Sequence, residues 1–573
     1  MSVINYVDLT SLSTPDTQPA LYLAQICIGL LNRNRKTQGP LHDNHQLKTK
    51  QQEESESPHY YAKLSLAYNS HSDDWLKRTT DGVIKDISID DLLASCYDSG
   101  ITKGYIKYSY DAQKELMPTL VTLAGALDAV LWESDDEGDL SMVMDATTEW
   151  EGFTPYDATS YIFENHMDDI TGLVKSNPGY DEKTNPFSPD LPSTGYMDGG
   201  LVDFIVSNRM FNLFLSQGCI PFTMEHELMK KIAAWEGFET PTPVWGYDNT
   251  FSKQAGSKFE AETDCVASLG QVASKGVPNL SYFSQTAPIK EEGILVSTTP
   301  APLVYDPTKT YISFLIGDGD NLRFVIERHV DWFQERQDVC LNSTKWAQYN
   351  LTAANSCFPL VWTISPQLVT HAPKMIEWWY EEVKTTGNDY FALPPSGDLY
   401  SYPGQMSDDD QHFYKDRMQQ LAKIMNISGT IHWEFPGSGS TWGDALSYFE
   451  KYTKDEEKGI TGFHCVNVPY FEPILEIFGT KDKKILGDKS KVVLFKSYEW
   501  RGVDGKLNAK SPANLADMIN GYKAGSVKSV YITSDGGLAM ADIFELVGKL
   551  DNEKIVIVNQ EQLTEMALSA AGE

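Results

Sequence analysis

Tyr311-Ile-Ser-Phe-Leu-Ile316 is followed by Gly317-Asp-Gly-Asp-Asn321 and then by a helix-like stretch from Leu322 to Phe333. An unbroken apolar run that ends in a glycine-loosened acidic turn and passes into a helix is one unit of a parallel sheet buried on both faces. The unit recurs. Pro359–Ile364, Tyr390–Leu393, Gly429–Trp433, Gly462–Val466, Val492–Phe495, Ser529–Ile532 and Ile555–Val558 are further short apolar runs, each followed by a loop and usually by a helical pattern. Pro243–Gly246 and Asn279–Phe283 add two earlier candidates. Such α/β alternation suits a C-terminal (β/α) barrel-like domain over residues 239–573, with a doubly wound open sheet as the alternative.

Upstream, Leu21, Leu23, Ala24, Cys27, Leu30 and Leu31 recur at helical spacing. Residues 35–58 have no apolar period and read as a solvated loop. A strand at Tyr61–Tyr68, a helix at Ile89–Tyr97, a strand at Gly104–Ser109, a helix through Leu120–Ala126 and a strand at Ala129–Trp132 make a small α/β module over 1–145. Beyond the acidic turn Asp135–Asp139, helices are predicted at Tyr161–Val174 and Leu201–Ser216 around a loop at 177–199. They form a second small α/β or α+β module, 146–238.

The chain has 573 residues, with 47 Lys+Arg against 80 Asp+Glu, a formal charge of −33. That charge repels phosphate backbones and anionic lipid, so no nucleic-acid or membrane partner is expected and a neutral or cationic ligand fits better. No apolar run reaches the roughly 18 residues of a membrane span. The start of the chain does not resemble a signal peptide, which makes a cytoplasmic location the default. Seven cysteines include no CxxC pair. Buried thiols rather than a disulfide framework or zinc knuckle are the expectation.

In a barrel the residues just after each strand open onto the active face. Here they are Asp318, Asp320 and Asn321; Ser365; Ser396 and Gly397; Glu434; Asn467; Glu499 and Trp500; and Asp535. Turn chemistry accounts for any single Asp or Asn but not for Glu434, Glu499, Trp433 or Trp500. The Asp318–Asn321 turn lacks the Gly and Glu that complete a calcium loop, since those positions hold Arg323 and His329. It could accept sugar hydroxyls, hold a single metal or supply a base, while Asn321 could instead cap the following helix.

The segment Ser396-Gly-Asp-Leu-Tyr-Ser-Tyr-Pro403 resembles the signature of the GxGYxYP family of inferred glycoside hydrolases, with Leu399 at the position of the second glycine. Gly29–Arg33, Thr122–Gly125, Asp203–Arg209 and Asp318–Asn321 also resemble that family's pattern, in order. The resemblance implies small N-terminal modules before a barrel-like domain, sugar processing, and export from the cell.

Sugar rings stack on aromatic side chains while carboxylates take their hydroxyls, and Trp362, Tyr400, Tyr402, His432, Trp433 and Trp500 fall at or near the expected rim. Hydrolysis needs two carboxyl groups in different environments. Glu434, between Trp433 and Phe435, is the first choice for the acid, Glu499 the second. Asp320 is the leading ionised partner, with Asp318 and Asp535 in reserve. Asn321, Ser396, Gly397 and Asn467 complete the expected saccharide contacts. No organic cofactor and no dedicated metal site is implied. A non-catalytic carbohydrate-binding protein is the main alternative. A metal-dependent, deacetylase-like hydrolase using Asp318, Asp320 and His371 or His432 is a further one, without the His spacing that would support it. No phosphate-binding loop is present, and Gly437–Ser440 does not satisfy a nucleophile elbow.

Overall fold

The computed structural model describes residues 3–12, 15–33, 58–64, 71–133, 140–175, 201–213, 215, 218, 221–246, 269–272, 274, 277–434, 442–454, 459–466, 475–501, 510–534 and 537–572. Apart from Pro58, the expected loops at 35–58 and 177–199 lie outside them, as do the acidic turn 135–139, Asn467, Asp535 and Gly437–Ser440.

Two compact units emerge. The first takes residues 1–288 and 370–375, the second the remainder. The first carries three parallel sheets. β1 (Val3–Asp8), β2 (His59–Lys63) and β3 (Val83–Ile87) pair in the order β2-β1-β3. β4 (Gly104–Lys107), β5 (Ala129–Trp132) and β6 (Met142–Asp145) pair as β5-β4-β6. β7 (Gly172–Lys175), β8 (Met210–Leu213), β9 (Thr242–Trp245) and β10 (Leu269–Val272) pair as β10-β9-β7-β8.

Three expectations change here. β9, expected to open the C-terminal sheet, pairs with β7 in the first unit, so the compact division falls at Pro288 rather than at 238. Asn279–Phe283 is not a strand but ends in a helical turn, Leu280–Phe283. Asn279 takes a left-handed backbone, and its amide clamps the Ala62 peptide at 2.7 and 2.9 Å. The two long helices of the second module are each shorter and followed by a strand. Helix Pro155–Asn165 precedes β7, and helix Val202–Asn208 stops where Arg209 turns left-handed before β8. A short buried apolar run looks alike in helix and strand, so periodicity alone does not separate them.

Helix Gln18–Leu31 is buried almost all round and holds the first unit together. A side chain at Gly29 would meet the Asp203 carbonyl at 2.6 Å, so only glycine allows helix Val202–Asn208 so close. Arg33 donates to the carbonyls of Gly125 (2.7 Å) and Val206 (2.8 Å) and pairs with Asp128, which also takes Arg209 at 2.9 Å. Burial first, then the neighbouring Arg209 charge, pull Arg33 down to about 9. Gly29–Arg33, Thr122–Gly125 and Asp203–Arg209 thus meet in one packing node.

Asp203 in that node accepts from the backbone and hydroxyl of Ser281, yet burial raises its carboxyl to about 6. The folded chain therefore holds this proton more tightly than the unfolded chain, whose value is near 3.8. Stability from this group is full below that lower value, falls as pH rises toward 6, and is level above it. Asp203→Asn keeps an acceptor for Ser281 without the charge. Its stability relative to the parent should improve by about 2–3 kcal/mol between roughly pH 3.5 and pH 7, as read from urea midpoints at the two pH values.

In the second unit the strands are β11 (Thr310–Ile316), β12 (Leu360–Thr363), β13 (Asp389–Ala392), β14 (Gly429–His432), β15 (Gly462–Cys465), β16 (Lys483–Leu486), β17 (Val492–Lys496), β18 (Tyr498–Trp500), β19 (Val527–Ile532) and β20 (Ile555–Ile557). Their hydrogen-bonded order is β18-β19-β11-β12-β13, with β20 beside the start of β11. A parallel bridge, Leu393↔Thr430, leads from the end of β13 to β14, and the order continues β14-β15-β17-β16. Only Ser497 separates β17 from β18. The order therefore leaves through β17 and returns through β18. All these pairs are parallel except β16–β17.

The expected buried thiols hold for Cys27, Cys96 and Cys465, but Cys340 and Cys357 form a disulfide. Helix Arg328–Leu341 ends where the chain returns toward β12, so two cysteines 17 residues apart meet without any short-spacing motif. A loop of that length implies roughly 3 kcal/mol of stabilisation. Dithiothreitol should lower the urea midpoint accordingly, and Cys340→Ser/Cys357→Ser should be lowered equally with or without reductant.

Candidate active site

Register decides which side chains share a face at the strand ends of the second unit. Tyr531 on β19 pairs with Leu315 on β11 and with Glu499 on β18; Leu315 pairs with Val361, and Val361 with Tyr390. Partners in parallel register point the same way. Leu315, Val361, Tyr390 and Tyr531 form one core cluster with Tyr400, Tyr402, Ile431 and Trp433, so Glu499 lies on that inner face.

Tyr531 is the hub. Its hydroxyl accepts from the Asp318 backbone N–H at 3.0 Å and donates to Asp318 Oδ1 at 3.3 Å. Gly317 leaves room for the ring, since a Cβ there would fall 2.2 Å from it. Burial first, then the charges of Asp318 and Asp320 and that of Glu499, hold the phenol well above its ordinary range. Asp318, with a left-handed backbone, also accepts from the Ser534 N–H. The Ser534 hydroxyl donates to the Gly317 carbonyl at 2.8 Å and meets His329 Nε2 at 2.9 Å. Burial pushes that imidazole down to about 3, so it stays neutral. Glu499 Oε1 takes Arg501 Nε at 2.6 Å and the Thr533 hydroxyl at 3.3 Å. Glu499 and Asp318 are thereby tied to adjacent residues at the end of β19. Asp318 and Asp320 are half-buried, Glu499 is buried.

The Ser396–Pro403 loop is fastened on three sides. Tyr414 bridges it, its hydroxyl accepting from Leu399 N–H and lying 3.1 Å from the Ser396 carbonyl. Ser396 Oγ bonds both the N–H and the carbonyl of Trp433, at 3.0 and 3.1 Å. Asp398 takes Gln367 at 2.7 Å and Arg417 at 2.8 Å. Gly397 has φ 110°, with Met418 filling the space a side chain would need. Leu399 is not among the described residues with positive φ, so the loop runs here without the second glycine. The fastening delivers Tyr400 and Tyr402 to the core cluster, Tyr400 edge-on to Trp433 at 5.4 Å.

Several sequence-predicted contacts lie elsewhere. Trp362 and His432 alternate with the inner-facing Val361 and Ile431, and take the opposite face. Trp362 donates to Asp389 Oδ1 at 2.7 Å and packs on Phe333 and Trp379, while His432 packs on Phe449. Trp500 is fully buried and donates to the Lys510 carbonyl. None of these three rings offers a platform. Glu434, only 1% exposed, meets His432 Nε2 at 2.7 Å and accepts the Gly404 N–H at 3.0 Å, which ties β14 to the loop. Asn321 caps helix Leu322–Ile326 by accepting from Arg323 N–H. His371 belongs to the first unit, edge-on to Trp245 and Phe204. Among the described residues no group of three or more His, Cys, Asp or Glu side chains is placed to hold a metal ion.

Tyr531, Thr533, His329 and Arg501 were not expected from the sequence. Tyr531 reads as strand filling, and only register exposes its role.

The fastened loop carries the signature, and residues 308–468 match the GxGYxYP putative glycoside hydrolase C-terminal domain. The signature residues Ser396–Pro403 fall inside that match. The matched segment holds Asp318, Asp320, Glu434 and the Tyr400–Trp433 cluster, while Glu499 and Tyr531 lie in the chain beyond it. A crystal structure of a putative hydrolase from Bacteroides thetaiotaomicron shares the fold, with TM-score 0.68 at 17% identity, covering 100% of this chain and 95% of that one. A putative polysaccharide deacetylase from Mycobacterium smegmatis aligns at 12% identity over 48% of this chain and 96% of its own, with TM-score 0.29, a likeness too slight to carry an argument. A sequence search of the curated proteins finds no match.

Proposed function

We propose that this protein is a glycoside hydrolase acting on a neutral oligo- or polysaccharide, with its reacting groups at the C-terminal ends of the strands of the second unit. The observation that carries the reading is the gathering of Asp318, Asp320 and Glu499 around the Tyr531 hydroxyl, beside the loop that defines the GxGYxYP domain. We read the returning strand order as a closed barrel, which is the arrangement that makes those ends a common mouth.

In this reading Asp320 and Glu499 divide leaving-group protonation from attack at the ring carbon. Asp318, with both oxygens engaged by Tyr531 and Ser534, shapes the turn that presents Asp320. Glu434 acts through the signature loop, since its bonds run to His432 and Gly404. Negative charge at the mouth favours an oxocarbenium-like transition state. The Cys340–Cys357 disulfide is the kind of bond that persists in oxidising compartments, which fits an exported enzyme better than a cytoplasmic one.

The test is release of new reducing ends from a broad panel of neutral glycans, in the presence and absence of a chelator. Release that chelation leaves intact supports the proposal. Glycan binding with no release from any member supports the non-catalytic binding protein, and release lost to chelation and restored by a divalent ion supports the metal-dependent hydrolase.

A further inference from the structure

The first unit holds an open cavity of about 260 Å³ that the strand-end site does not use. Two helix faces line it at helical spacing: Tyr156, Phe163 and Glu164 from helix Pro155–Asn165, and Glu227 and Lys231 from helix Met224–Ala233. Phe222 stands on its rim. That ring is 99% exposed, and its backbone sits at φ 71°, a conformation that bulky side chains avoid. Thr223 immediately after it caps the second helix by accepting from His226 N–H at 3.1 Å. Phe163 is backed edge-on by Trp235 at 6.1 Å. An aromatic that forgoes burial and tolerates strained backbone at one place, on the lip of a cavity with two more rings, marks a surface that something covers.

We infer that this cavity is a second saccharide-binding site, in which one neutral sugar residue stacks on Phe222 between the two helices and bonds its hydroxyls to Glu164, Glu227 and Lys231. A sugar ring has the required flat C–H face with donors and acceptors around its edge. Glu227 is already paired with Lys230 at 2.7 Å, so Glu164 and Glu227 against Lys230 and Lys231 leave no excess positive charge to hold an anion, and the net charge of −33 on the chain disfavours one further. The volume lies just below the roughly 300 Å³ at which drug-sized sites begin, which suits one sugar residue rather than a long segment of chain. The inference rests on the carbohydrate reading above but not on hydrolysis.

The experiment titrates cellohexaose, xylohexaose and maltohexaose into the full chain carrying Asp320→Asn, by calorimetry, and repeats this with Phe222→Ala and Tyr156→Ala added. The expected result is binding of at least one glycan that Phe222→Ala weakens about tenfold or abolishes. Phe222→Gly, free to adopt positive φ, should match the loss of binding while keeping or raising the melting temperature. Affinities unchanged by Phe222→Ala and Tyr156→Ala, or no binding of any of the three glycans, would overturn the inference. Phe222-dependent binding in a protein that releases no reducing ends would leave the second site standing and remove the hydrolase. Turnover with Phe222-independent binding would do the reverse.

Discussion

Asp320→Asn and Glu499→Gln should each reduce glycan turnover by roughly 10²–10⁴-fold, the usual contribution of a positioned acid or base, while glycan affinity changes by less than about threefold. Each amide keeps the shape of its parent and loses the charge and the exchangeable proton. Glu499→Gln can still accept from Thr533 but gives up the ion pair with Arg501. Glu434→Gln gives the contrast. Its amide oxygen can still accept the Gly404 N–H, so the loop stays fastened and turnover should fall by no more than about tenfold. Initial rates of reducing-end release beside calorimetric affinities check all three. A Glu434→Gln loss as large as that of Glu499→Gln would exchange their roles.

The largest stability effect is expected far from the mouth. Arg336 and Asp389 form a fully buried ion pair, Nε to Oδ1 at 2.6 Å, and Asp389 also takes the Trp362 indole N–H and the Thr386 hydroxyl. Removing one member of such a pair strands a charge without solvent. Arg336→Met should therefore cost about 3–5 kcal/mol. The charge-free pair Arg336→Met/Asp389→Leu should recover much of that loss, although Trp362 and Thr386 would then lose an acceptor. Urea midpoints of the single and double variants decide it. Equal losses in both would mean that packing, not charge, governs the site.

The strand runs themselves were legible. Thr310–Ile316, Leu360–Thr363, Gly429–His432 and Val527–Ile532 fall within a residue or two of their expected positions, because parallel strands buried on both faces are nearly pure apolar runs bounded by Gly, Asp and Pro. The same property hid the faces. When both sides of a strand are apolar there is no alternation to tell Val361 from Trp362, or Ile431 from His432, so rings that pack against helices looked equal to rings that line the mouth. The flanking Trp433 and Phe435 favoured Glu434, whereas pairing with Tyr531 favours Glu499, and pairing is a property of chain segments tens of residues apart. The signature loop was visible as residues, but not its fastening. Tyr414, Met418 and Arg417 fasten it from helix Asp408–Ile424, and nothing in their residue types marks them for that role. Gly29 and Arg33 were legible as a motif and turned out to be packing, since what makes Gly29 necessary is the carbonyl of Asp203, far along the chain.

The most direct measurement is a crystal structure of the Asp320→Asn chain soaked with a neutral oligosaccharide that the unaltered protein cleaves. The account predicts a sugar at the strand ends beside Tyr400 and Trp433, its glycosidic oxygen flanked by the substituted amide on one side and Glu499 on the other. A glycan bound away from those ends, or seated there with Glu499 beyond the roughly 9.5 Å that separates the most widely spaced productive carboxyl pairs, would contradict it.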